Sequence, residues 1–263
     1  MRTRPHCLLF FAVVVLLSPY TLGAEAYPCH QISTAKYLDG RFMDWPEPFV
    51  MLDGWSWRAA PEKKPIYGGL LDLSGTLRMG WDECCLYVAL AIVDDHFLPA
   101  VDNAPIESGD AVVLSFVPSQ RETQAIEPRD IVFAFSKNTT MFFRSTARQL
   151  QLAGGARIGV ARSVLSTPVT PLKHEEDKTD AGFITKLWYE FTIPWTLLPE
   201  ITPATNNTFG LAVQILDNDG QGVRGRLCWR GAQNAPRLHK DYALIRFMQP
   251  LMTPGDAALS DME

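Results

Sequence analysis

Helical periodicity is almost missing from this sequence. No stretch carries a strong amphipathic pattern of period 3.6, and there is no internal repeat and no low-complexity tract. Catalytic signatures are missing as well. There is no G-x-S-x-G, no H-E-x-x-H and no P-loop. Many acids are present, but nothing singles out the carboxylate pair that glycoside hydrolysis needs. Basic clusters are absent, and the formal net charge is −5. That argues against nucleic acid as a partner, because phosphate binding needs clustered Lys and Arg. The longest run of one sign, Glu175-Glu176-Asp177, is broken by Lys178 and reads as a solvated loop. No C-x-x-C-H haem-attachment motif occurs among the 5 cysteines. The longest apolar run, Cys7–Leu17, is about 11 residues, short of the ~20 that a membrane span requires.

That run is nevertheless informative. Arg2 and Arg4 precede it, and Pro19, Gly23 and the small-x-small triplet Ala24-Glu25-Ala26 follow. A basic start, an apolar stretch and an A-x-A site describe a secretory signal peptide over residues 1–26. The expected product is secreted, periplasmic or at the cell surface, with no membrane span after cleavage. Cys29, Cys84, Cys85 and Cys228 remain in it. An even number in an oxidising compartment suggests up to two disulfides, with three possible pairings. If Cys84 and Cys85 both lie in a strand, they point to opposite faces, and each would pair with Cys29 or Cys228 on its own side.

Short strand-like runs recur from residue 76 onward. Thr76–Trp81 alternates, with Leu77, Met79 and Trp81 on one face. Leu86–Val93 is apolar on both faces, as a central strand would be, and stops at Asp94-Asp95. Ala111–Val117 follows. Ile131–Phe135 and Thr140–Phe143 form a candidate hairpin across Lys137-Asn138. Leu187, Tyr189, Phe191 and Ile193 share one face of a strand stopped by Pro194, with Trp188 on the other. Phe209–Leu216 ends at the turn Asp217-Asn218-Asp219-Gly220, and Gly225–Trp229 and Tyr242–Phe247 close the series. Residues 27–66 are rich in Pro, Trp and turns, and 250–263 read as a polar tail. Many short strands with turn punctuation predict an all-β fold, a β-sandwich of two mainly antiparallel sheets of immunoglobulin or jelly-roll type over residues 27–249.

The order of these segments resembles carbohydrate-binding module family 9. Tyr37-Leu38-Asp39-Gly40-Arg41-Phe42-Met43-Asp44-Trp45 is similar to the family's opening. Leu77–Asp95 resembles its W-D…L-Y-V…V-x-D strand pair, and Glu107–Val113 the next strand, with Asp110 as its usual acid. Trp188–Pro194, Phe209–Asp219 and Trp229 resemble its C-terminal half. The resemblance spans roughly residues 35–248. It implies the sandwich and non-catalytic binding of a sugar or glycan in carbohydrate catabolism. The family's usual company is glycoside hydrolases acting on O-glycosyl compounds. It also implies structural calcium as an option. The same sandwich resembles the DOMON group, some of whose members bind haem, and Met79, Met141, His96, His174 and His239 are the residues a haem reading would use. A structural cell-surface protein that has lost sugar binding is a further alternative.

In sugar-binding members of the family two Trp rings clamp the ligand. The matching positions here fall near Ile106 and near Arg237-Leu238, and neither is aromatic. Asn234 stands where the family can place an amide on a hydroxyl, and Arg237 beside it is a donor. A different platform is available from Trp55-Ser56-Trp57. In an extended strand its two rings would share a face about 7 Å apart and could stack on successive sugar units or fill a core. Trp188, on the outward face of its strand, is a third candidate ring. Trp45 and Trp81 read as core residues, and Trp229 as structural. For calcium the oxygen donors are Asp94, Asp95, Asp217 and Asp219; acids at strand ends also simply form Asx turns.

Overall fold

The computed structural model describes residues 26–32, 45, 49–60, 67–101, 108–118, 128–135, 140–146, 149–152, 157–168, 183–230 and 241–251. Fourteen strands are found among them. They are β1 (Tyr27–Gln31), β2 (Val50–Leu52), β3 (Trp57–Ala59), β4 (Leu73–Trp81), β5 (Cys85–Asp94), β6 (Ala111–Pro118), β7 (Arg129–Phe135), β8 (Thr140–Thr146), β9 (Gln149–Leu152), β10 (Arg157–Pro168), β11 (Phe183–Pro194), β12 (Thr208–Asp217), β13 (Gly225–Trp229) and β14 (Ala243–Met248). Among the described residues no helix is long and apolar enough to cross a membrane.

One sheet runs β10-β11-β5-β4 and the other β14-β12-β6-β7-β8-β9. Alternation along the strands makes the sandwich. Leu77, Met79 and Trp81 of β4, Val88 and Leu90 of β5 and Tyr189 and Phe191 of β11 point inward, and so do Leu211, Val213 and Ile215 of β12. Phe133 of β7 meets Tyr189 and Phe191 across the interface, at centroid distances of 5.5 and 4.6 Å. Trp81 packs on Phe247 at 5.0 Å, and Trp195 closes on the same ring edge-on at 5.5 Å.

The expected division into two sheets needs one refinement. β1 pairs in parallel with β14, from Tyr27↔Ile245 to His30↔Met248, and in parallel with β4 at His30↔Gly80 and Gln31↔Trp81. It therefore joins both sheets along one edge into a continuous ladder, and these two contacts depart from the antiparallel rule. The opposing edges are shared in a similar way. β12 carries β14 along its first half and β13 along its second, while β2 lies on β4 and β3 on β13.

β5 is the central strand expected, flanked by β4 and β11 and covered on both faces. Its outer face is covered by Trp45. Arg78, Ala89 and Glu190 stand in one row across β4, β5 and β11. The small Ala89 leaves room for the Trp45 indole, whose N–H donates to Glu190 Oε1 at 2.7 Å while Arg78 donates to its carbonyl at 3.2 Å. Glu190, fully buried, thus has a donor, as a buried carboxylate requires.

The cysteine expectation is corrected. β5 begins at Cys85, and Cys84 lies exposed in the preceding turn, where Asp82 Oδ1 accepts the N–H groups of both, each at 2.7 Å. No disulfide joins Cys29, Cys84, Cys85 or Cys228. Cys29 is buried inside β1 beside β14, and Cys228 sits in β13 on the far side of β12, so neither strand brings its thiol to the Cys84-Cys85 turn. The expected signal peptide, apart from Ala26, lies outside the described residues. So do residues 252–263 of the tail.

Candidate functional site

Two groups of side chains stand out, one at a sandwich end and one on a sheet face. The first is assembled by antiparallel register. The start of β4 faces the end of β5 (Leu73↔Asp94), the start of β6 faces the end of β12 (Ala111↔Leu216), and the end of β12 faces the start of β13 (Asp217↔Gly225). Acids that terminate strands in sequence therefore gather at one end. They are Asp72, Asp94, Asp95, Asp110, Asp217 and Asp219.

The centre of this group is Arg224. Its guanidinium contacts Asp72 and donates from Nε to Asp217 at 2.6 Å and to Asp219 at 2.9 Å. Its ring partner is Trp57, 5.6 Å away. The turn that delivers it needs positive φ at Gly220 and Gly222, and Asn218 Oδ1 accepts the Gly220 N–H at 3.1 Å. Asp110 has another task. Its two oxygens accept the Leu98 N–H at 2.6 Å and the Asn218 N–H at 2.8 Å, so it fastens two loops together. Asp94 caps the exit of β5 by accepting the His96 N–H at 2.8 Å.

Burial dominates the electrostatics here. It pushes Asp94 well up, helped by the charge of Asp110, and raises Asp110 to about 8 against its two backbone donors. Asp217 is raised to about 8 against the pull of Arg224, and Asp95 to about 6.

Calcium takes about six to eight converging oxygens. Asp94, Asp95, Asp217 and Asp219 do not supply them. Asp72, Asp217 and Asp219 converge on a guanidinium, and both Asp110 oxygens are taken. Asp219 Oδ1 is buried without a hydrogen-bond partner. Among the described residues no three His, Cys, Asp or Glu side chains are arranged to hold a metal ion. The set as built does not fit calcium, and Arg224 supplies the positive charge. The haem residues are not brought together either. Met79 is buried in the core and His96 is exposed beyond β5; the side chains of Met141, His174 and His239 lie outside the described residues.

The second group starts at Trp55. The expected extended strand is interrupted by a 3-10 turn over Gly54–Ser56, capped by Asp53 Oδ1, which accepts the Trp55 N–H at 3.0 Å. The turn carries the chain from β2, on the edge of one sheet, to β3, on the edge of the other. The two rings therefore do not share a face. Trp57 turns inward onto Tyr67, 5.5 Å away, and Arg224. Trp55 turns out and is 92% exposed. Arg58 braces the turn, its Nη1 donating to the Trp55 and Trp57 carbonyls at 3.2 and 2.7 Å.

From Trp55 a polar strip crosses the outer face of the second sheet. Arg58 of β3 stands opposite Arg226 of β13, and Arg226 Nη1 donates to Gln214 Oε1 of β12 at 3.0 Å. β13 then leads into residues 231–240, which carry Asn234 and Arg237 and lie outside the described residues, as does Ile106. Trp188 is half-buried between Ala91 and Ala161 on the outer face of the other sheet, so the structure separates it from Trp55. Sequence reasoning missed Arg58, Arg226, Gln214, Asp72 and Arg224. Only Arg224 had a visible signal, as the first cation after the Asp-Asn-Asp-Gly turn.

With this geometry in place, comparison with known proteins decides the family. A family model described as carbohydrate family 9 binding domain-like matches residues 57–236. The chain belongs to that family. Two family 9 carbohydrate binding modules of known structure share its fold, both from Caldicellulosiruptor kristjanssonii. One, in complex with cellotriose, aligns with a TM-score of 0.53 at 12% identity over 88% of this chain and 98% of that one. The other, in complex with glucose, gives 0.51 at 14% identity over 86% and 98%. No curated protein matches the sequence. The family 9 match begins at Trp57 and so includes β3 to β13, while Trp55 and its cap Asp53 lie just before it.

Proposed function

We propose that this family 9 domain is a non-catalytic glycan-binding module. The observation that carries the reading is Trp55, an almost fully exposed indole on a braced backbone turn at the head of a strip of donors. Exposing a large aromatic ring to water costs free energy in the unbound protein, and a sugar ring stacked on it recovers that cost. Arg58, Arg226 and Gln214 offer N–H donors to hydroxyls beside the ring, and Gln214 also offers an acceptor. Trp188 is a separate surface on the opposite sheet and is not part of this proposed site. Asn234 and Arg237 would extend the strip from the β13–β14 connection.

Export belongs to the proposal and rests on the basic start, apolar run and A-x-A site of residues 1–26. The test is binding to a glycan array by the full exported chain beside Trp55→Ala. Binding that Trp55→Ala abolishes supports the site. A folded protein that binds no glycan refutes the function.

A further inference from the structure

Two arginines occupy paired positions on the outer face of the second sheet. The β3–β13 register sets Arg58 directly across from Arg226. Like charges in that position repel. Among the described residues neither meets a carboxylate. Arg58 donates to two backbone carbonyls, and Arg226 donates to the neutral amide of Gln214. Arg226 Nε is buried and has no acceptor. Just beyond β13 a third cation, Arg230, is exposed at φ 61. The positive charge is felt locally, since Arg226 and Arg58 both oppose the rise that burial imposes on the Cys228 thiol. Elsewhere the chain treats Arg differently. Arg224 holds three aspartates, and Arg129 pairs with Glu200.

We infer that this face takes an anionic glycan, with Arg58 and Arg226 on its carboxylate or sulfate oxygens and Trp55 stacked on the adjoining sugar ring. The inference rests on the glycan-binding reading above and names the ligand class for that site. A neutral hydroxyl would leave the charges of the two cross-strand arginines uncompensated. An anionic oxygen compensates them, and the planar guanidinium fork suits carboxylate and sulfate alike.

The experiment is titration calorimetry of the full exported chain with three probes: a polygalacturonate oligomer, a sulfated galactan oligomer and cellotriose. The expected result is an affinity for one anionic probe about tenfold or more above that for cellotriose, weakening as sodium chloride is added. Arg226→Gln should shrink the anionic-to-neutral ratio, and Arg226→Lys should restore part of it. Arg58→Ala, at an exposed position, gives the same readout should Arg226→Gln fail to fold. Cellotriose bound as tightly as both anionic probes overturns the inference and leaves the glycan-binding reading intact. So does an anionic preference that no substitution at Arg226 or Arg58 alters. Silence from all three probes, with a glycan array also blank, removes both.

Discussion

Trp55 and Trp57 are two residues apart and serve opposite ends. A single Asp53 cap turns the chain, so one ring faces water and the other closes on Arg224. Substitutions at the two should therefore separate binding from stability. Trp55→Ala is expected to weaken glycan affinity about tenfold or more while leaving the thermal midpoint within about 1 °C, read by calorimetry on both counts. Arg224→Ala should do the reverse. Removing the shared partner of this part-buried ion network should cost about 1–3 kcal/mol, below the cost in a fully buried pair, visible as a lower urea midpoint. The cluster around it also sets a pH dependence. Asp110 and Asp217 are held up near 8 and Asp95 near 6, so the folded state keeps protons that the unfolded chain releases near 4. The sign follows from the raised values. This contribution is present in full below the unfolded value and is lost as pH rises through about 6 to 8. Urea midpoints should fall over that rise, and Asp94→Asn, which removes one of the carboxyls that burial holds protonated, should flatten the slope. A midpoint that climbs with pH across that window would contradict the assignment.

The legibility of the elements varied with what each strand buries. Leu86–Val93 was readable because both of its faces are covered, which writes an unbroken apolar run. Leu187–Ile193 and Phe209–Leu216 were readable from their inward rows. β10 was not, because as the last strand of its sheet it tolerates Gly159, Ala161 and Ser163 alternating with Arg162 and Val164. β1 escaped because Pro28 and a five-residue length give too little pattern. The two candidate groups were illegible for a different reason. Arg224 and Asp72 are 152 positions apart, and only the sheet register makes them neighbours. The acids themselves were visible as strand ends, which made calcium a reasonable expectation until the guanidinium was placed. Close packing between elements yields a further expectation. A Cβ at Gly225 would land on the Trp57 ring, so Gly225→Val should displace that indole and change tryptophan fluorescence as well as lower stability.

The molecule as a whole is one layered core. Phe133, Phe191, Phe209 and Phe247 are all fully buried in it and draw on both sheets. Phe133→Ala should cost about 3–5 kcal/mol and broaden no transition, since the sheets unfold together; two separate transitions in a calorimetric scan would show that they do not. The sandwich and its family were legible because many weak strand signals occur in a fixed order. The proposed ligand face was not, because its donors come from β3, β12 and β13 and are neighbours only across hydrogen-bonded strands. β1 has one more consequence for the molecule. Its parallel ladder to β14 sets the entry of the chain and its exit at opposite ends of the same row of bonds. A pull applied at the start of β1 and the end of β14 would load that row all at once, in shear, where an antiparallel pair would peel open one bond at a time. Tension carried through both ends of the fold would thus fall on this parallel seam rather than on a hairpin.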